Sequence, residues 1–265
     1  MNPSLKALFF ILAILTPTAA CAPRAIVKPI PANTTPDKVL HMALADEEAV
    51  KGLKASVRIT YRSDTGEAGA MDAVLYAQRP DKARLTGLAL MGFTVFDALV
   101  TGDKFYFYQP SDGIMYTGPR GAMRGFLEKM GVRADPEVIY RSLFTDGGGA
   151  GEGRLVERTA DGWAIYLTRK SGDALAPVVR ADYDAGLGLV GKTFYDELAR
   201  PWMDVQYEGS VEEGGFTFPV RIKARDLRNG YTLTVDFEKR IVNPDGLDAE
   251  MTIQGGELKE IREVE

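Results

Sequence analysis

Arg84–Pro110 reads RLTGLALMGFTVFDALVTGDKFYFYQP. Two parts of it favour strands, Ala83–Leu88 and Phe93–Val100, both rich in β-branched and apolar residues. The turn between them, Ala89-Leu90-Met91-Gly92, has no polar side chain. Surface turns ordinarily use Asn, Asp, Ser or Pro. Leu90 and Met91 left in water would cost solubility unless something apolar meets them. The next turn, Thr101-Gly102-Asp103-Lys104, is polar, and the four-aromatic run Phe105-Tyr106-Phe107-Tyr108 follows it. The apolar turn is therefore either a hairpin covered by another element or a tip made to touch something.

Alternation extends on both sides of this stretch. Leu53, Ala55, Val57, Ile59 and Tyr61 alternate with Lys54, Ser56, Arg58, Thr60 and Arg62, the pattern of a half-buried antiparallel strand. Ser63–Gly69 is a polar hairpin turn, after which Met71, Ala73, Leu75 and Ala77 alternate back to a turn at Arg79-Pro80-Asp81. With Ile114–Thr117 this predicts about seven strands in a meander over residues 53–117. Upstream, Thr35 caps a helix with Pro36 in its first position. Val39, Leu40, Ala43, Leu44 and Val50 share its apolar face, and Gly52 ends it. Downstream, Pro119–Phe144 predicts one or two short helices carrying Phe126, Leu127, Met130, Val138, Ile139, Leu143 and Phe144, with breaks at Gly131 and Pro136. Asp146–Gly153 is a glycine-rich loop. A second meander follows, with strands at Arg154–Arg158, Trp163–Thr168, Val178–Tyr183, Leu189–Asp196, Met203–Glu208, Phe216–Arg225 and Tyr231–Phe237. Turns at Asp161-Gly162, Asp184-Ala185-Gly186 and Asn229-Gly230 separate several of them. Asn243–Gly246 closes the sheet, and the charged tail, residues 246–265, is expected to be loosely held.

The composition restricts the chemistry. One cysteine and one histidine exclude an intrachain disulfide and a Cys/His zinc site. The net charge of −5 gives no basic footprint for nucleic acid. His41 lies on the polar side of the first helix, with no G-x-S-x-G nucleophile to partner it. The carboxylate pair Glu212-Glu213 sits beside Gly214-Gly215 in a solvated turn. No enzyme is expected.

The N-terminus reads as a processing signal. Leu8–Leu15 is an eight-residue apolar run, far short of the ~20 residues that span a bilayer. Small residues lead from it to Cys21, which marks residues 1–20 as a secretory signal. Ala19-Ala20-Cys21 resembles the bacterial lipobox, although Thr18 departs from its usual leucine. The resemblance implies cleavage before Cys21, diacylglycerol on its sulfur and an N-acyl chain. Two or more chains would anchor the protein firmly. Ala22 after the cysteine is similar to the outer-membrane sorting signal of didermal bacteria. Residues 21–35, with four prolines, read as an extended tether. The mature chain, without Lys6, would carry −6.

Gly186-Leu187-Gly188-Leu189-Val190-Gly191-Lys192-Thr193 matches the phosphate-binding pattern G-x-x-x-x-G-K-[ST]. In that motif the lysine reaches a phosphate and the threonine holds Mg²⁺. Here the context is antiparallel and no long helix follows. Gly186, Gly191, Lys192 and Thr193 are read as a chance match in a β-turn, and no nucleotide or metal is expected.

Several local patterns resemble the outer-membrane lipoprotein carrier and receptor superfamily, the LolA/LolB fold. Arg79-Pro80-Asp81-Lys82-Ala83-Arg84-Leu85 is similar to the family's RPDKYRL. Lys104–Pro110, KFYFYQP, is similar to the carrier's LWFYNP. Leu85-Thr86-Gly87 followed by Gly92 resembles the segment before the receptor's projecting loop. Asp182-Tyr183-Asp184 and Phe218-Pro219 with Ile222 resemble patterns in the second half. The likeness spans roughly residues 36–245, read as one domain. It implies an α+β, mainly β fold: a curved antiparallel half-barrel of about 11 strands, with an N-terminal helix and a helical insert capping an apolar cavity. It also implies lipid or lipoprotein acyl chains as ligand, and a delivering carrier protein as a possible partner at the periplasmic face of the outer membrane. Leu88, Leu90, Met91 and Phe93 then form an apolar loop tip that contacts membrane or cargo. Phe96, Phe105, Phe107, Val57, Ile59 and Leu75 are the candidates to line the cavity, though core packing alone accounts for such aromatics. A structural lipoprotein that holds a protein partner in an envelope complex is the competing expectation.

Overall fold

The structure is a computed structural model that describes residues 30–31, 33–133, 135–144, 153–253 and 258–265. The signal segment 1–20, Cys21 with most of the tether, and the glycine-rich loop up to residue 152 lie outside the described residues. Chain order is α1 (Pro36–Ala49), β1 (Gly52–Ser63), β2 (Ala68–Gln78), β3 (Lys82–Leu88), β4 (Thr94–Thr101), β5 (Lys104–Gln109) and β6 (Ile114–Pro119). Then come the helices α2 (Met123–Lys129) and α3 (Pro136–Leu143). Strands β7 (Gly153–Arg158), β8 (Gly162–Ser171), β9 (Ala174–Asp184), β10 (Leu189–Tyr195), β11 (Pro201–Glu213), β12 (Phe216–Asp226) and β13 (Tyr231–Val242) follow. The short helix α4 (Leu247–Glu250) and strand β14 (Glu260–Glu263) end the chain.

All the strands form one open, curved sheet in the order β14-β6-β5-β4-β3-β2-β1-β13-β12-β11-β10-β9-β8-β7. Among the described residues the sheet therefore has 14 strands, not about 11, and its first meander has six, not about seven. Pairing of β1 with β13 joins the two meanders into one surface. Side-chain alternation sends Val57, Ile59, Ala73, Leu75, Phe96, Phe105 and Phe107 to the concave face, where they are buried. The insert helices lie on that face: Met123, Phe126, Leu127, Val138, Ile139 and Tyr140 join the same core. Helix α1 covers the β8–β9 end, with Val39 against Trp163, Ile165, Ala181 and Tyr183.

Local chemistry explains the helix limits. Pro36 occupies the first turn of α1, whose missing N–H costs nothing there. The helix ends at Ala49, and Gly52 opens β1 instead of closing α1. Pro136 likewise starts α3 and does not break it. Asp135 caps that helix, its carboxylate accepting from Glu137 N at 2.8 Å.

The C-terminal segment is the largest departure from expectation. Leu247 and Met251 are buried against Tyr76 and Leu99 on the convex face. Asp248 accepts from Gln78 and Lys82, and Glu250 from Lys54. Strand β14 then pairs in parallel with β6. The tail is strapped across the sheet because two apolar side chains one helical turn apart fill a convex patch that would otherwise face water.

Candidate functional site

The Ala89–Gly92 turn projects from the end of the β3–β4 hairpin, and none of the described residues covers it. Leu90 is 92% exposed, Met91 94% and Phe93 70%. Val95, half-exposed on β4, extends the patch, and Leu88 is half-buried at its base. The turn is closed by Gly92 N donating to Ala89 O at 3.0 Å and Ala89 N to Phe93 O at 2.8 Å. Met91 holds φ 68° and Gly92 φ 80°. A left-handed backbone is cheap for glycine but disfavoured for a methionine. An exposed methionine in a disfavoured backbone gains nothing from packing.

The concave aromatics meet helix α2. The Phe126 ring lies 5.5 Å from Phe105, 5.4 Å from Phe107 and 4.9 Å from Tyr116 between centroids. Phe96 stacks on Phe107 at 5.4 Å. Val57, Ile59 and Leu75 lie in the same cluster, each at most 2% exposed. Among the described residues, all six cavity-lining candidates are thus packed side chains of one core, with Phe126 as the hub of its ring contacts. The spacing of the sequence marked Phe126 as apolar but gave no sign of that central place.

Polar contacts tie the insert down. Arg124 donates to Asp226 at 3.0 Å, lies 3.5 Å from Asp135, and stacks over the Trp202 ring. Burial pushes the Asp135 carboxyl up, and Arg124 offsets this only in part. On α3, burial would raise Glu137, but Arg141 and Arg120 outweigh it and hold the carboxyl below its usual range. Tyr140 donates its hydroxyl to Pro80 O. Arg79 pairs with Glu47 of α1 at 3.1 Å and lies over Phe144. Each helix over the concave face is therefore fastened by at least one ion pair or buried hydrogen bond. A shallow polar cleft of about 450 Å³ between Asp81, Asp103, Arg120, Glu137 and Arg141 lies beside α3. Its two guanidiniums are already bound to Glu137.

The nucleotide-like motif dissolves in the structure. Gly186 and Gly188 sit in the β9–β10 turn, their N–H groups donating to Asp184 Oδ1. Gly191, Lys192 and Thr193 are in strand β10, paired with β11. Lys192 is 1% exposed, its Nζ 3.5 Å from Ser142 O and 5.8 Å from the Tyr207 ring. It points into the core, where no phosphate could be cradled. His41 is exposed on α1, and Glu212 and Glu213 are exposed at the end of β11. Among the described residues, no group of three or more His, Cys, Asp or Glu side chains is placed to hold a metal, and no helix is long and apolar enough to cross a membrane.

No protein-family model and no curated protein matches the sequence. Solved structures do match the fold. A DUF1329 family protein from Desulfovibrio piger superposes with a TM-score of 0.61 at 12% identity, over 85% of this chain and 100% of that one. A LolA superfamily protein from Nitrosomonas europaea gives 0.54 at 13% identity, over 83% and 98%. An outer membrane lipoprotein-sorting protein domain from Vibrio parahaemolyticus gives 0.53 at 11% identity, over 78% and 92%. The open curved sheet with an N-terminal helix and a helical insert is a LolA/LolB-like fold.

Proposed function

We propose that this chain is a lipid-anchored envelope lipoprotein that binds acyl chains, of lipids or of lipoproteins, in outer-membrane lipoprotein localisation or lipid transfer. It is a binding protein and not an enzyme. The observation that carries this reading is the exposure of Leu90 and Met91 at 92% and 94% on a turn with no polar side chain. Processing before Cys21, with diacylglycerol on its sulfur and an N-acyl chain, would moor the domain to the periplasmic face of the outer membrane. The concave face, lined by Phe96, Phe105, Phe107, Val57, Ile59 and Leu75, is the acyl-chain site. An acyl chain enters there by displacing the Phe126 ring, and each CH₂ taken from water contributes about 0.8 kcal/mol. A periplasmic carrier protein is the partner that would deliver such cargo. The test is native mass spectrometry of the protein purified from envelopes, together with transfer of an acylated cargo to Met91→Glu. Bound lipid and a transfer defect are expected; absence of both would sink the reading.

A second reading is favoured by one observation, the packing of α2 onto the aromatic strand. If that packing persists, the protein is an assembly lipoprotein whose concave face is filled by its own side chains. Phe126→Ala separates the two: it increases lipid uptake if the face is a site, and only lowers stability if it is a core.

A further inference from the structure

Strands β12 and β13 separate before they end. Their pairing runs from Asp226↔Tyr231 to Arg221↔Asp236. Beyond it, residues 216–219 pair with β11 and residues 237–242 with β1, where a bulge shifts the register between Ser56 and Val57. The split this leaves in the sheet is lined by apolar side chains. Phe216, Phe218 and Val242 are half-buried against the concave core, and Val220 is 43% exposed.

One charged side chain crosses the split. Arg240 donates from Nη1 to Pro219 O at 3.2 Å and from Nη2 to Phe237 O at 3.0 Å, and it lies 5.3 Å from the centre of the Phe237 ring. The two carbonyls use two of a guanidinium's five N–H groups. A neutral glutamine amide could bridge the same carbonyls, so a permanent charge is more than that task needs. Arg84, Arg124 and Arg221 each reach a carboxylate, whereas among the described residues Arg240 makes no ion pair. Burial pushes its pKa down, and Glu213, exposed at the end of β11, offsets this only in part. The side chain is half-buried, so a solute can reach it. A desolvated cation without a counter-charge, set among apolar groups, favours an incoming anion.

We propose that the split between β12 and β13 binds an amphiphile with an anionic head, the head on Arg240 and the acyl chain along Phe216, Phe218, Val220 and Val242. This rests on the proposed acyl-chain binding and names a ligand class for it, a fatty acid or an anionic phospholipid. Carboxylate and phosphate present the same paired oxygens to the guanidinium fork. An N-acylated, diacylglyceryl cysteine is uncharged and gains nothing from Arg240.

The experiment uses the full chain in phosphatidylcholine vesicles and four probes with the same diazirine-bearing chain. Two are anionic, palmitate and phosphatidylglycerol; their neutral counterparts are methyl palmitate and phosphatidylcholine. Crosslinks are mapped by mass spectrometry. At least one anionic probe should label residues 216–220 about tenfold more than its counterpart, the scale of one charge-assisted hydrogen bond. Which of the two does so assigns the head to a carboxylate or a phosphate. Arg240→Gln should remove the preference. Val220→Glu, at an exposed position, should also remove it, while Val220→Lys loses the same side chain and should keep it. The inference is overturned if neither anionic probe exceeds its counterpart. It is also overturned if the preference survives Arg240→Gln or Val220→Glu, or if Val220→Lys loses it too. Labelling near Phe126 but not at residues 216–220 overturns it and leaves acyl binding standing. No labelling anywhere removes acyl binding itself, and the inference falls with it.

Discussion

Arg84 grips Asp97 across the β3–β4 hairpin through both carboxylate oxygens. Its Nε donates at 2.8 Å and 3.1 Å and its Nη2 at 2.6 Å, with both side chains under 10% exposed. The same guanidinium donates from Nη1 to Glu250 O, tying the hairpin to the C-terminal strap. Removing one partner leaves a buried charge unmatched, which costs about 3–5 kcal/mol. Asp97→Ala is therefore expected to lower stability by that amount in denaturant titration. Arg84→Met with Asp97→Leu should recover most of it, because an apolar pair fills the same space without a stranded charge.

The tip should behave in the opposite way. Leu90→Glu and Met91→Glu remove no buried contact, so chemical denaturation should move by less than about 0.5 kcal/mol. Loading with an acylated probe should fall sharply in both variants. A large loss of stability would mean that the turn is packed in solution, contrary to its exposure in the structure.

Truncation after Asn243 tests the strap. It uncovers Tyr76 and Leu99 by removing Leu247 and Met251. Two buried apolar side chains are worth roughly 1.5–3 kcal/mol each, so a loss of at least about 3 kcal/mol is expected. It also strips β14 from β6 and bares the backbone groups of that edge. Bared edges recruit other chains, so sedimentation should show concentration-dependent association that the full chain lacks.

The acid limb of stability should depend on Glu137. Its folded-state pKa is depressed by Arg141 and Arg120 against the effect of burial. The contribution is fully present above the unfolded glutamate value of about 4.3 and is lost as pH falls through the lower folded value. Glu137→Gln should flatten melting temperature against pH below about pH 4.3. Asp135, with its pKa raised, works in the reverse sense, so the net slope in the wild type is shallower than Glu137 alone would give.

Much of the sheet was legible because alternation is a direct imprint of a two-faced surface. Leu53 to Tyr61 announces β1, and Tyr231 to Phe237 announces β13. What escaped lacks that imprint. Strand β14 is Glu260-Ile261-Arg262-Glu263, exposed throughout, and exists only because β6 offers an edge. Leu247 and Met251 were visible as apolar residues in a charged tail, but their patch on Tyr76 and Leu99 comes from strands more than a hundred residues earlier. Lys192 shares a strand face with Phe194, so its burial was readable from the alternation of β10, the strand context in which the glycine pattern is a chance match. For the tip, the sequence specified its character but not its surroundings. Whether Leu90 and Met91 are covered depends on where α2 and α3 settle: α2 settles on Phe105 and Phe107, and α3 packs against β3, β4 and β12.

The left-handed backbone at Met91 has an evolutionary corollary. Glycine or asparagine would sit there with less strain, and neither would expose an apolar side chain. Selection for heat resistance alone would therefore rewrite position 91 early and erase the tip, whereas selection for cargo handling would keep a locally unfavourable residue. The identity of this one side chain, in chains that share the hairpin, is a readout of which pressure has prevailed.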